Sequence, residues 1–193
     1  SNARTDATLA GGAAWIGGGT GSGEIGVALN GDGAFLDIDN VAWSMSRGMS
    51  IAFWARIQQR TDPAFIVFLF DGGMSNDNMI YVASRGGPHG DFTVNNAASH
   101  SSLQTADANP QIADYVFGDL GEWCHVTCVA SSTGTLTLHR YNAANGDRHT
   151  WTKTGLAPNS NTISYYSASL GRHDYNDNKY PLHGDLRDVR FYE

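Results

Sequence analysis

An all-β fold of two packed antiparallel sheets is what this sequence predicts, on three observations. Short apolar or alternating runs recur along the chain, each bounded by Gly, Asn, Asp or Pro, which is the punctuation of a sandwich or jelly roll rather than a βαβ chain. Residues that lose little entropy in helices are scarce: two Lys (Lys153, Lys179) and three Glu (Glu24, Glu122, Glu193), against 23 Gly in 193 residues. Pro63, Pro88, Pro110, Pro158 and Pro181 all fall between the predicted strands, where a missing N–H breaks no ladder.

Ser1-Asn2-Ala3 reads as an expression-tag remnant and is set aside, leaving 4–193 as one domain, a common size for a β-sandwich. A natural signal peptide could have been removed with it. Residues 4–26, rich in Gly and Ala and anchored by Trp15 and Ile16, form a lead-in. Within them GSGEIG (Gly21 to Gly26) matches the dinucleotide fingerprint in form, but no strand precedes it and no helix follows, so the cofactor reading fails. Val27-Ala28-Leu29 and Phe35-Leu36-Asp37-Ile38 flank Asn30-Gly31-Asp32-Gly33, whose Asn-Gly and Asp-Gly pairs supply the positive φ angles of a tight turn. The expectation is a β-hairpin with Leu36 and Ile38 facing the core and Asp37 and Asp39 facing out. Further strands are expected over Met49–Ile57, Ala64–Phe70, Met79–Ala83, Asp91–Val94, Trp123–Ala130, Thr135–Tyr141, His149–Lys153, Ser164–Gly171 and Leu186–Tyr192. Asn95 to Asp114, rich in Ala, Ser and Asn, is weakly patterned and reads as a short helix or a surface loop.

A net charge of -7 with ten dispersed Arg speaks against a phosphate-binding surface and a nucleic-acid partner, since nucleic-acid affinity comes mainly from clustered Lys and Arg. No run of about 18 apolar residues exists, so no membrane insertion is expected. Cys124 and Cys128 share one face of a predicted strand. At about 3.3 Å per residue their Cα atoms lie about 13 Å apart, beyond the roughly 7 Å reach of a disulfide. They read as free core thiols, with His125 on the opposite face and structural.

Four blocks, in order, carry a resemblance to a known family. GVALNGDGAFLDID runs from a small-apolar strand through a turn into an alternating strand, and MSIAFWARI is an apolar strand with a Trp, Trp54, followed by a basic residue. GEWCHVTCVASSTGTLTLHRYNAANG holds Trp-x-His-Val and a Thr-Gly-Thr turn; Leu170-Gly171-Arg172 and GDLRDVRFY close the chain. From about residue 26 the chain resembles the laminin-G-like branch of the concanavalin A-like lectin/glucanase superfamily. It departs at Arg187-Asp188, where the family usually has paired acids. The resemblance implies a concanavalin A-like jelly roll. It also implies a non-enzymatic binding or adhesion module, carbohydrate-binding, of an exported bacterial protein that acts outside the cell or at its surface. A protein-protein module of a larger surface protein, or a glycan-cleaving enzyme, are the alternatives.

Catalysis finds no familiar machinery here. Retaining glycoside hydrolysis needs two carboxyl groups about 5–5.5 Å apart, and the Glu-x-Asp-x-Glu strand of laminarinase-type relatives is missing; Asp37-Ile38-Asp39 is the only comparable pair. There is no Gly-x-Ser-x-Gly elbow, and His89, His100, His125, His139, His149, His173 and His183 lack metalloprotease spacing. Two polar loops are the candidate ligand sites. Asp174, Tyr175, Asp177 and Asn178, between His173 and His183, offer oxygens for a cation or sugar hydroxyls and a ring for stacking; Asp71, Asn76 and Asp77 offer a second set. A plain solvated loop is the competing reading of both. Finally, the resemblance implies a structural Ca²⁺ held by Asp188 with carbonyls of Gly31 and Gly33 and the Asp32 side chain; an ion pair of Asp188 with a nearby Arg is the alternative.

Overall fold

The computed structural model describes residues 7–17, 26–38, 41–44, 47–60, 64–71, 79–85, 89–96, 99–105, 116–156, 162–165, 167–171 and 181–192. Its strands are β1 (Ala7–Ala10), β2 (Ala14–Ile16), β3 (Gly26–Asn30), β4 (Phe35–Ile38), β5 (Val41–Ser44), β6 (Met49–Gln59), β7 (Ala64–Asp71) and β8 (Met79–Arg85). They continue as β9 (Gly90–Asn96), β10 (Ser99–Gln104), β11 (Trp123–Ala130), β12 (Leu136–Asn142), β13 (Arg148–Lys153), β14 (Thr162–Tyr165), β15 (Ser167–Leu170) and β16 (His183–Tyr192). No helical element occurs among the described residues.

Two seven-stranded antiparallel sheets form the body. The first has the order β1-β4-β15-β7-β8-β9-β10, the second β13-β12-β11-β6-β16-β3-β2, and β5 pairs with β14 apart from both. The period of two explains why the sheets stack. In β6, Met49, Ile51, Phe53, Ala55 and Ile57 are buried while Ser50, Ala52, Trp54 and Arg56 alternate outward. Next to it β11 buries Cys124, Val126, Cys128 and Ala130, and β12 buries Leu136 and Leu138. From the first sheet Leu36, Ile38, Val67, Ile80, Val82, Phe92, Val94 and Leu170 meet them in one continuous core.

The expected β3–β4 hairpin is not formed. β3 pairs with β2 and β16 in the second sheet, whereas β4 pairs with β1 and β15 in the first. Asn30 to Gly33 is therefore an arch between sheets. Its local chemistry is as expected: Gly31 and Gly33 both have φ +73°, and the Asp32 N–H donates to Asn30 Oδ1 at 3.0 Å. Turn residues set the bend but not the partners. Both flanking strands have one apolar face, and the arch lets Val27 and Leu29 enter the core from one sheet and Leu36 and Ile38 from the other.

Three other expectations change. Ser164–Gly171 is two strands, β14 and β15, which pair with different partners. The weakly patterned stretch contains β10, an edge strand on β9. Its period was hidden because Ser102, beside the buried Leu103, is itself buried against a polar centre: Asp91 accepts from Ser102 Oγ (2.7 Å), Thr93 Oγ1 (2.9 Å) and Tyr81 Oη (3.1 Å). Strands β1, β2 and β5 were not anticipated. Asp39, Pro63, Pro88, Pro110, Pro158, His173 and residues 21–25 of the glycine-rich motif lie outside the described residues.

Strand β16 carries the end of the chain through the middle of the second sheet, between β6 and β3. It can approach β6 closely because residue 184 is Gly, where a Cβ would lie 2.3 Å from the Arg56 carbonyl oxygen. Its pairing with β6 is interrupted between Arg187 and Arg190, and within that bulge Asp188 adopts φ +52°.

Candidate functional site

The outward phases of five neighbouring strands put large side chains in register. Reading across the second sheet, Arg187 of β16 pairs with Trp54 of β6, Trp54 with His125 of β11, His125 with Tyr141 of β12, and Tyr141 with Arg148 of β13. With neighbouring strands about 4.8 Å apart, this row of two basic ends and three rings spans about 19 Å. The members touch. Trp54 meets His125 edge-on at 5.2 Å between centroids and Tyr141 at 6.1 Å; the Arg187 guanidinium lies 5.1 Å from the Trp54 ring, and that of Arg148 lies 5.2 Å from the Tyr141 ring.

A second row adjoins it, formed by Asp185, Arg56 and Trp123. Arg56 stacks over Trp123 at 4.9 Å and Arg187 reaches the same ring at 4.3 Å, so one guanidinium covers two indoles. Arg56 also donates from Nε (2.8 Å) and Nη2 (2.7 Å) to Asp185 Oδ2, which accepts from Gln58 Nε2 at 3.2 Å. These contacts hold the indoles and cations in fixed positions on a rigid sheet. Burial keeps His125 below the ordinary imidazole value, with Asp188 raising it and Arg190 lowering it to lesser degrees. His125 is thus neutral near pH 7, and the positive charge of the row comes from its Arg ends.

Beyond Tyr141 the face opens into a depression of about 480 Å³ lined by His125, His139, Arg148 and Thr150, with Tyr141 on its wall; Arg140 and His149, which also border it, alternate toward the core side of their strands. His139 Nδ1 and Thr150 Oγ1 are hydrogen-bonded at 2.9 Å. Behind the row, Cys124 and Cys128 are free and buried, as expected; burial pushes the Cys124 thiol up to about 11 and the Cys128 thiol higher still.

The residues singled out from sequence fall elsewhere. Asp174, Tyr175, Asp177, Asn178, Asn76 and Asp77 lie outside the described residues, and of Asp71 the backbone alone is described, ending β7 opposite Ser167 and Met79. The expected calcium ligands are not together. Gly31 packs against His183, which pairs with Asn30, whereas Asp188 lies five residues further along β16, about 16 Å at strand spacing. One ion cannot bridge them. Asp188 instead binds Arg190 Nε at 2.6 Å. Among the described residues no group of three or more His, Cys, Asp or Glu side chains could hold a metal ion. Trp54 and His125 were visible in the sequence as family-block residues; their alignment with Tyr141, Arg148 and Arg187 was not, because register is set by long-range pairing. The outward phases of MSIAFWARI, EWCHVTC and TLTLHRY, each bearing a ring or a cation, were the available signal.

Comparison with known proteins agrees with the architecture. The chain resembles, in fold, the botulinum neurotoxin serotype D binding domain (TM-score 0.64, 13% identity, 98% of this chain and 43% of that one). It is similarly close to the binding domain of botulinum neurotoxin DC solved in complex with SialylT (0.61, 14%, 98% and 42%). A third relative in fold is the enzymatically active domain of bacteriophage CBA120 tailspike protein 2 (0.66, 14%, 97% and 28%). The chain spans less than half the length of each. No curated protein matches it in sequence. A laminin-G-type family model, described as the concanavalin A-like lectin/glucanases superfamily, matches residues 29–193. The chain belongs to the concanavalin A-like lectin/glucanases superfamily.

Proposed function

We propose that this domain is a non-enzymatic carbohydrate-binding module of an exported bacterial protein, and that its glycan lies on the outer face of the second sheet. The observation that carries this is the cross-strand row from Arg187 through Trp54, His125 and Tyr141 to Arg148. Aromatic rings present apolar faces to the C–H side of a pyranose, while flanking polar groups bond its hydroxyls. The contacts among the rings and guanidinium groups fix these faces before binding, which limits the ordering cost. Binding rather than cleavage fits the groups on this face. Asp185, the acid of the second row, is engaged by Arg56 and Gln58 and has no carboxyl partner in its row for paired-carboxylate hydrolysis.

A glycan array probed with the protein, Trp54→Ala and Trp123→Ala tests this. Retained glycan hits that disappear in both variants support it; hits unaffected by either refute the site, and no hits refute the function. A protein partner is the second reading, favoured by a cleft of about 250 Å³ between the sheets. Val27, Leu36, Ile38, Leu170 and Leu186 line it beside Trp15, which is 54% exposed. Trp15→Ala would abolish binding under that reading and leave glycan binding intact under the first.

A further inference from the structure

We infer that the glycan is acidic, and that its carboxylate or sulfate group sits in the depression at the Tyr141–Arg148 end of the row. The inference rests on the carbohydrate-binding reading and names its ligand class. Charge is distributed against the chain's own balance. The whole chain carries -7, yet the outward side chains at the depression are those of Arg148, Tyr141, His125, His139 and Thr150, and no described acid lines it.

Among the described residues, Asp185 and Asp188 elsewhere on this face are each held by an arginine, Arg56 and Arg190. They therefore do not cancel the field at the Arg148 end. Arg148 is exposed and set over Tyr141, whereas Arg140, 4% exposed, takes the core-facing phase of β12 with Leu138 and Asn142. An accessible guanidinium braced on an aromatic ring suits a planar or tetrahedral anion, which arginine recognises through forked donors. Tyr141 and Trp54 lie one and three strands in from Arg148, so a glycan stacked along them can direct an acidic substituent into the depression. A long polyphosphate does not fit the charge pattern, because the surrounding chain is strongly negative.

Isothermal titration with polygalacturonate, dextran sulfate, neutral dextran and poly-L-glutamate tests the inference, using the protein, Arg148→Gln and Trp54→Ala. At least tenfold tighter binding of one acidic polysaccharide than of dextran and poly-L-glutamate is expected. Arg148→Gln should remove at least tenfold of that affinity and weaken any dextran binding by a much smaller factor, and Trp54→Ala should weaken every polysaccharide. Preference for polygalacturonate or for dextran sulfate identifies carboxylate or sulfate as the recognised group. Equal binding of dextran and the acidic polymers, lost in Trp54→Ala, overturns the anionic ligand and leaves the carbohydrate reading standing. Binding of poly-L-glutamate as tight as that of the polysaccharides, or binding of no polymer, overturns both.

Discussion

The two thiols report on the phase of β11, and that phase is what places Trp123 and His125 on the outer face. Cys124 and Cys128 alternate with them and point into the core. An ordinary thiol with a pKa of 9.0 is about 9% thiolate at pH 8, whereas Cys124 at about 11 is about 0.1%. Ionisation alone thus slows its reaction with Ellman's reagent roughly 90-fold, and burial of both sulfurs slows it further. In native buffer at pH 8 neither thiol should react over the time in which denatured protein releases two equivalents without reductant. The sign for stability follows. The unfolded chain ionises its thiols near 9 while the folded chain keeps them protonated, so this contribution is whole below pH 9 and is lost as pH rises toward 11. Rapid native reaction of two thiols would refute the inward phase, and with it the outward one. Finding no free thiol in denatured, unreduced protein would contradict the geometry of the strand itself.

Other consequences are equally direct. Asp91→Ala strands the Ser102, Thr93 and Tyr81 hydroxyls of a buried polar centre and should cost about 1–3 kcal/mol for each donor left unsatisfied; chemical denaturation measures it. Gly184→Val drives a side chain into the Arg56 carbonyl and should destabilise by about 1–3 kcal/mol or more, lowering Tm by about 3–12 °C in a thermal melt. Because Asp188 and the Gly31–Gly33 arch stand apart, Asp188→Asn should leave any calcium-dependent change in Tm as it is in the unaltered protein; a calcium shift lost in that variant would restore Asp188 as a ligand.

How much was legible follows from where each signal lives. Alternation is local, so MSIAFWARI and WCHVTCVA were read as strands with the correct buried face, and the thiols were placed correctly. Turn chemistry is also local, and Asn30 to Gly33 does bend as its glycines require. Pairing is not local. The same four residues serve a hairpin or an arch, and only the burial of β3 and β4 in opposite sheets decides between them. The same limit hid the site. Trp54, His125 and Tyr141 are separated by 71 and 16 positions in the chain, and nothing in their neighbourhoods says that they stand side by side. Polar loops drew attention instead, because carboxylates and amides clustered in sequence are easy to see. β10 escaped notice for a related reason: its buried serine bonds a buried aspartate, which breaks the apolar pattern without breaking the strand.

A glycan held on the outer face of the second sheet would touch both indoles of the two rows. A two-dimensional ¹H–¹⁵N correlation spectrum of the labelled protein, titrated with a glycan that binds, tests it most directly. The largest shifts should fall on the indole N–H groups of Trp54 and Trp123 and on the backbone of His125, Tyr141, Arg148 and Arg187. Shifts confined to residues 72–78 and 172–180, with both indoles unmoved, would contradict it and return the site to the polar loops.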